Sequence, residues 1–530
     1  MQYKRTAPSA AKRHSARFFS TQIFVPANDG GMEIMMKTEV SIKKAALINA
    51  VASYSCVVLQ LVANSWLAWL PGLTKDDFGI IAAVSVFTSF FTVVSNMGIG
   101  PAIIQNKEIT DNEISDIFTF NFYVAIAVAA LFFALAAPIA AFLNDSVYIP
   151  ICRLLSISLF FHTMNIIPHS LLLKQKRFVM IGMRMVAVTV ASYGVAIAMA
   201  YMGYSYYALV WQAILFALVS FLWNYASTRI KLKIKFRISS IKKIFSFSVF
   251  QMGYSVINYL SKNIDNIVIS RRFGAGALGI YDKAYKLTLY PQNNLTNVIT
   301  PTLHPILSDY QHDKAYIYEK YMRVVKALSL LGMFIGLFCC FASKEIIYVM
   351  FSEKFALSVP CLQWLSLSIW AQVITASSQA IFQSAGNTKT MFISGLFTTA
   401  LTAAAVAIGA LTGGITEISA YLMVAFNLNF FITYFILVKY TLGMSYMDFL
   451  KHFVPDVMIA VMVAAAGIAA SFIPTTHMLF THGLTYSETS VLSMLSSAFI
   501  KGCVMGVAYI AGLVIFKQHK ILISFLKKRK

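Results

Sequence analysis

Apolar stretches of roughly 20 residues recur along this whole chain, each bounded by charged residues or by Pro and Gly. Neither a single anchor nor a cleaved signal peptide explains a pattern that never stops. A soluble core could not absorb it, because 58% of the 530 residues are hydrophobic and only 12% are charged. At a mean hydropathy of +0.70 the remaining solvent must be lipid. The sequence therefore reads as an all-α integral membrane protein of about fourteen transmembrane helices.

Apolar windows fall near 44–70, 78–104, 115–142, 148–173, 179–202 and 205–228. RIKLKIKFRISSIKK, the most basic stretch in the chain, follows as a linker. Windows resume near 244–270, 277–306, 318–342, 358–384, 388–410 and 416–438, and a last pair lies near 452–473 and 492–516. The expected organisation is a disordered tail over 1–40, an N-lobe of six helices over 41–228 and a basic cytoplasmic linker over 229–243. A C-lobe of six helices over 244–440, a helix pair within 441–518 and a basic cytoplasmic tail over 519–530 complete it.

The net charge of +22 would suggest nucleic acid in a soluble protein, but these cations sit in short loops between apolar runs, so no nucleic-acid partner is expected. With the N-terminus inside, alternate loops and the C-terminal tail hold twenty Lys and Arg. The opposite loops hold only Lys75, Arg271, Arg272, Lys344 and Lys354. Positive loops stay cytoplasmic, so both termini are expected there, with an even number of helices between them. Residues Met1 to Asn28 carry Lys4, Arg5, Lys12, Arg13 and Arg17 without an acid. Such a stretch has the composition of a transit peptide, or is a tail upstream of a start at Met32, Met35 or Met36, which is the reading adopted.

Laying the chain on itself with a shift of 200 residues puts Phe78-Gly79-Ile80 on Leu278-Gly279-Ile280 and Pro101 on Pro301. Six helices separate the copies, so both enter the membrane from one side. The expectation is a parallel repeat, two six-helix lobes around a central cavity, with the final pair added.

Polar side chains in such helices are costly unless they face a cavity, a partner or the interface. Gln251, Tyr254, Asn258, Lys262 and Asp265 recur at steps of 3 and 4, one stripe on the seventh helix. Beyond the turn Gly274-Ala275-Gly276, Lys283, Lys286, Tyr290, Asn293 and Asn297 make a second stripe on the eighth. Lys262 and Lys283 lie roughly 10 Å from the ends of their helices, so three ammonium groups could converge, which suits an anion such as a diphosphate. The alternative is that Lys262 and Lys283 snorkel outward and that Asp265 or Asp282 neutralises them. Lys286 is deeper and less easily explained that way. Asn49, Ser53, Gln60 and Asn64 form a weaker uncharged stripe on the first helix, whereas Lys501 and Arg153 read as interfacial. Pro291 interrupts the eighth helix and is a candidate hinge or a static kink.

No catalytic or metal constellation emerges. The nine histidines are scattered, no Walker-type loop is present, and Cys56, Cys152, Cys339, Cys340, Cys361 and Cys503 lie in or beside apolar runs without ligand spacing. The cysteines read as small core hydrophobes. An enzyme is not expected, and neither is a cofactor.

RRFGAGALGIYDKAYKLTLYPQNNLTNVITPTLHPILSDYQHD, Arg271 to Asp313, resembles a segment of the Wzx-type oligosaccharide flippases and polysaccharide exporters. These belong to the multidrug/oligosaccharidyl-lipid/polysaccharide (MOP, MATE-like) superfamily, and the likeness is to the colanic acid exporter-like branch. SNMGIGPAIIQNKEIT, Ser95 to Thr110, and FSEKF, Phe351 to Phe355, are similar in the same order, and the resemblance runs from about Lys37 onward. Asn96 stands where that family often carries an acid, so no ion-coupling role is carried over to it. The resemblance implies an alternating-access flippase of the bacterial inner membrane. It would move an undecaprenyl-diphosphate-linked oligosaccharide, a surface-polysaccharide repeat unit, from the cytoplasmic to the periplasmic leaflet. Membrane lipids, a polysaccharide polymerase and a chain-length regulator are the implied partners, and Lys262, Lys283 and Lys286 the positions that could meet the diphosphate. A MATE-like drug or cation antiporter would share the fold but call for deep acids in the first lobe. A membrane polymerase or glycosyltransferase would call for a sizeable outer loop or an acidic pair.

Overall fold

The computed structural model describes residues 51–520 apart from 97, 106–108, 234, 309 and 473–485. The expected terminal tails, 1–40 and the end of 519–530, fall largely outside the described residues, as does Asn49. The described chain is helical throughout: α1 (Val51–Trp69), α2 (Lys75–Asn96), α3 (Ile99–Gln105), α4 (Asp111–Ala134), α5 (Ala136–Leu143), α6 (Tyr148–Lys174), α7 (Phe178–Tyr201), α8 (Tyr207–Thr228) and α9 (Ile238–Ser308) make the first half and the crossing into the second. There follow α10 (Lys314–Phe341), α11 (Ser343–Phe351), α12 (Ser358–Ser366), α13 (Ile369–Ser384), α14 (Thr388–Thr412), α15 (Ile415–Phe435), α16 (Tyr446–Lys451), α17 (Val454–Ser471) and α18 (Tyr486–Ile515).

Local chemistry sets several of these boundaries. Thr110 caps α4, its hydroxyl accepting from the Glu113 N–H while Glu113 accepts from the Thr110 N–H at 3.0 Å, a reciprocal capping box. At α2, Thr74 N–H and hydroxyl both donate to Asp77 Oδ2 at 2.7 Å, and Ser205 donates to the other oxygen at 2.5 Å. That cap therefore also ties the α7–α8 turn to α2. The 71-residue α9 is two limbs meeting at Gly274, whose φ of 82° and ψ of 178° lie in a region open in practice to glycine alone. Helical backbone continues through Pro291.

Among the described residues, eleven helices are long and apolar enough to cross a membrane, or twelve when α12 and α13, bent by 56°, count as one span. The expected count was about fourteen. The two limbs of α9 are long enough but do not add to the eleven, because α9 is the least apolar of the long helices.

The lobes meet along α2 and α9. Ile80, Val84 and Phe91 of α2 pack with Ile269, Leu278 and Tyr281 of α9 in one buried cluster. The offset of 200 residues has a direct spatial meaning here. A Cβ on Gly79 would collide with the Ala275 carbonyl oxygen, and one on Gly279 would collide with the Lys75 carbonyl oxygen. Positions 75 and 79 thus touch 279 and 275 in the same way from both sides. That is the signature of a pseudo-two-fold axis running between Gly79 and Gly279, and only glycine permits so close a backbone approach.

Two buried ion pairs fasten the last helices to the C-lobe. Lys326 of α10 pairs with Asp456 of α17 at 2.5 Å and donates to the His452 carbonyl. Lys501 of α18 pairs with Glu345 of α11 at 2.6 Å, Ser497 donating to the same oxygen at 2.7 Å. Lys501, near a helix end, is thus nearly buried, because α11 brings it an acid that lies 156 positions away in the sequence. Arg153 is exposed, its guanidinium over the Phe133 ring at 5.2 Å. The cysteines are unpaired; Cys56, Cys152 and Cys361 are buried, and Cys503 is exposed.

Candidate functional site

The limb of α9 that follows Gly274 carries the chemistry. Asp282 and Lys286 lie one turn apart and pair at 2.7 Å, with the Asp282 side chain 11% exposed and the Lys286 side chain 58% exposed. Across the lobe boundary, Tyr193 of α7 lies within electrostatic reach of that ammonium, as does Tyr290 of α9 itself. Tyr193 accepts a hydrogen bond from Asn64 Nδ2 of α1 at 3.0 Å. A half-exposed ammonium with one acid partner thus has two phenols within electrostatic reach, one from each lobe. Asn293 lies exposed farther along the same limb.

Lys283 is about 60° round the helix from Lys286, and that rotation takes it to a different environment. It is buried, and its Nζ lies 3.7 Å from the centroid of Phe78, 5.0 Å from Phe351 and 5.8 Å from Phe355. Among the described residues its ammonium has no ion pair. Ring faces hold it instead, and Phe78 comes from the N-lobe while the other two come from the C-lobe. Phe78 and Phe355 also meet edge to face at 5.7 Å.

Asp265 is buried on the first limb of α9, where Tyr281 donates to its Oδ2 at 2.6 Å. It is thus committed to the second limb and pairs with neither lysine. Lys262 is exposed on the first limb. Of three lysines that could converge, two lie within electrostatic reach of each other, Lys283 and Lys286. The reason is rotational: α9 turns Lys283 into the aromatic seam and Lys286 into the space beside Tyr193. The side chains of Gln251, Tyr254 and Asn258 lie outside the described residues.

Around this site the lobes are closed at the end where Gly274 lies. Trp69 Nε1 donates to the Val349 carbonyl at 3.1 Å. Lys354 donates to the carbonyls of Leu70 and Leu73 at 2.7 and 3.2 Å, and burial lowers it from the ordinary lysine value. Leu67, Phe78 and Ala196 from the N-lobe pack there with Ala284, Ile347, Phe351 and Phe355. The FSEKF segment is part of that seal.

Sequence reasoning missed the aromatic seam, Tyr193 and Arg184. The phenylalanines look like any others in a phenylalanine-rich chain, and Tyr193 has no charged neighbour to mark it. Arg184 of α7 is buried, and its Nε has no hydrogen-bond partner among the described residues. Near a positive loop it reads as topology. Among the described residues no group of three His, Cys, Asp or Glu side chains could hold a metal.

Comparison with known proteins gives this fold a family context. Residues 72–360 match the model of a family described as polysaccharide biosynthesis protein. The lipopolysaccharide biosynthesis protein WzxC of Escherichia coli (strain K12) is 25% identical over 76% of this chain and 82% of its own length. The teichuronic acid biosynthesis protein TuaB of Bacillus subtilis (strain 168) is 26% identical over 62% and 68%. Among solved structures, the lipid II flippase MurJ in an inward closed conformation superposes with a TM-score of 0.66 at 15% identity, covering 88% of this chain and 99% of that one. An inward-facing MATE family multidrug transporter of the MOP superfamily reaches 0.58 at 11% identity, over 72% and 93%. At these identities the structures speak for the fold.

Proposed function

This chain belongs to the polysaccharide biosynthesis protein family, and from that premise we propose that it is a flippase for a lipid-linked oligosaccharide. It carries a polyprenyl-diphosphate-linked repeat unit of a surface polysaccharide from the cytoplasmic to the periplasmic leaflet of a bacterial inner membrane. Both termini are cytoplasmic on this reading, which follows from the distribution of Lys and Arg between alternate loops. A polymerase and a chain-length regulator take up the product.

The observation that carries the proposal is the Lys286–Asp282 pair, a half-exposed ammonium between lobes that are sealed at one end. With an effective dielectric of roughly 20 rather than roughly 80, its attraction for a phosphate is about fourfold that in water. In the empty state Asp282 neutralises it. A diphosphate would compete for the same ammonium, with Tyr193 and Tyr290 as hydroxyl donors, while the prenyl chain stays in the bilayer. The sealed end is periplasmic on this orientation, so this state accepts substrate from the cytoplasm. Release requires the lobes to part along Gly79 and Gly279, with Pro291 as a candidate flexing point.

The antiporter alternative needs deep acids in the N-lobe. Its buried acids among the described residues, Asp77 and Asp116, sit in the first turn of α2 and the second turn of α4, where Thr74 and Ser205 hold one and Lys233 and Ser240 the other. The test is Lys286→Ala in a strain lacking the chromosomal copy. We expect loss of surface polysaccharide and accumulation of the lipid-linked repeat unit, with the protein still in the membrane at its normal level. Normal export by that variant would refute the site.

A further inference from the structure

A second place on the molecule has the features of a binding site, and it lies far from Lys286 on the outer face of the N-lobe. At the linker end, where α6 turns into α7, Lys176, Arg177, Phe178, Val179, Met180, Met183 and Trp223 line an open cleft of about 320 Å³. That is room for roughly ten water molecules. Its two parts differ in chemistry. The rim is cationic: Lys176 and Arg177 are exposed, and the exposed Arg229 follows the end of α8 nearby. Arg177 spends one guanidinium N–H on the Ser227 carbonyl at 3.3 Å, which fixes its head at the rim.

Behind the rim stands the start of α7, which has no side-chain cap. The backbone N–H of Ile181 is the first to find its helical partner, the Arg177 carbonyl. The three preceding residues, Phe178, Val179 and Met180, all line the cleft. Orphan donors of a helix start, together with two cations, make an anion site. The floor is apolar and open to lipid, with Met183 62%, Val179 39% and Trp223 37% exposed. An inorganic anion would have no use for that floor.

We propose that this cleft binds an anionic phospholipid of the surrounding bilayer, its phosphate between Lys176, Arg177 and the start of α7 and its first methylenes along Val179, Met183 and Trp223. The chain's own N-terminal stretch is an unsuitable occupant, because residues Met1 to Asn28 carry five cations and no acid. The site is independent of the transport cavity.

The test is native mass spectrometry of the full-length protein in detergent, titrated with phosphatidylglycerol or phosphatidylcholine. We expect phosphatidylglycerol to bind roughly tenfold more tightly than phosphatidylcholine. The double variant Lys176→Gln/Arg177→Gln should lose that preference, while Lys314→Gln, an exposed cation elsewhere at the same end, should keep it. Val179→Trp leaves both charges and fills the floor, so it should weaken phosphatidylglycerol binding several-fold. Equal affinity for the two lipids in the unaltered protein would overturn the proposal. So would a double variant that keeps its preference, unchanged binding by Val179→Trp, or full displacement of the lipid by a tenfold excess of inorganic phosphate.

Discussion

Two lysines three positions apart on one helix stand in different environments. Lys286 is half exposed and paired, so its charge is available to a competing anion. Lys283 is buried against three rings, and desolvation of its ammonium is offset only by cation–π contacts of about 0.5–2 kcal/mol. Lys283→Met keeps the length and removes the charge. It is expected to raise the stability of the purified protein by about 1–3 kcal/mol, read as a higher melting temperature in detergent. A lower melting temperature would mean that the ammonium stabilises this fold, and an unchanged one that its ring contacts fully offset its desolvation. For Glu345 and Lys501 the sign is opposite, because each is the other's buried partner. Glu345→Gln is expected to cost about 3–5 kcal/mol by leaving Lys501 uncompensated. The double change Glu345→Leu/Lys501→Met should recover most of that loss in the same melting assay.

Among elements, α2 and α9 decide how the lobes fit. Gly79 and Gly279 allow their helices to touch at the backbone, and each faces a carbonyl oxygen where a methyl group would stand. Gly79→Ala and Gly279→Ala are each expected to destabilise the sealed state by about 1–3 kcal/mol through overpacking. Because the two sites are related by the repeat, the effects should match. A thiol-reactive probe on Lys75→Cys, slow to react in the parent, should then react faster in both variants; no change in either would contradict the close packing. The Gly274 break belongs to the same element. It turns one 71-residue helical run back on itself, so that Tyr281 reaches Asp265 and the two polar stripes lie side by side.

For the whole molecule, the question is whether the seal opens during transport. Lys75→Cys and Gly276→Cys lie on facing lobes, since a Cβ at Gly276 would stand 3.8 Å from Lys75 Cε. Joining them with a short bis-methanethiosulfonate linker is expected to stop export, and reduction should restore it. Continued export by the linked protein would rule out alternating access through this end. The orientation is open to the same chemistry. A membrane-impermeant thiol reagent applied to intact cells should label Lys344→Cys and spare Lys235→Cys, and the reverse pattern would invert the topology.

Much of this was legible in the sequence, for reasons that are local. Apolar windows report the solvent of each segment, so the membrane and the helices follow from residue order alone. A repeat offset survives as matching glycines, so the two-lobed plan was visible in Gly79 and Gly279 before any coordinates. The polar stripes marked the limbs of α9 because helical spacing fixes which residues share a face. What the stripes could not give was what each face meets. Whether Lys283 stands in a cavity or under phenylalanine rings depends on Phe78, Phe351 and Phe355, up to 205 positions away in a chain with 42 phenylalanines. The place of Lys501 near a helix end likewise gave no sign that α11 brings Glu345 to it. Periodicity is a property of one helix and partnership a property of two, so the sequence determined the helices, the repeat and the charged limb, and only the tertiary structure decided which charges are paired, caged or exposed.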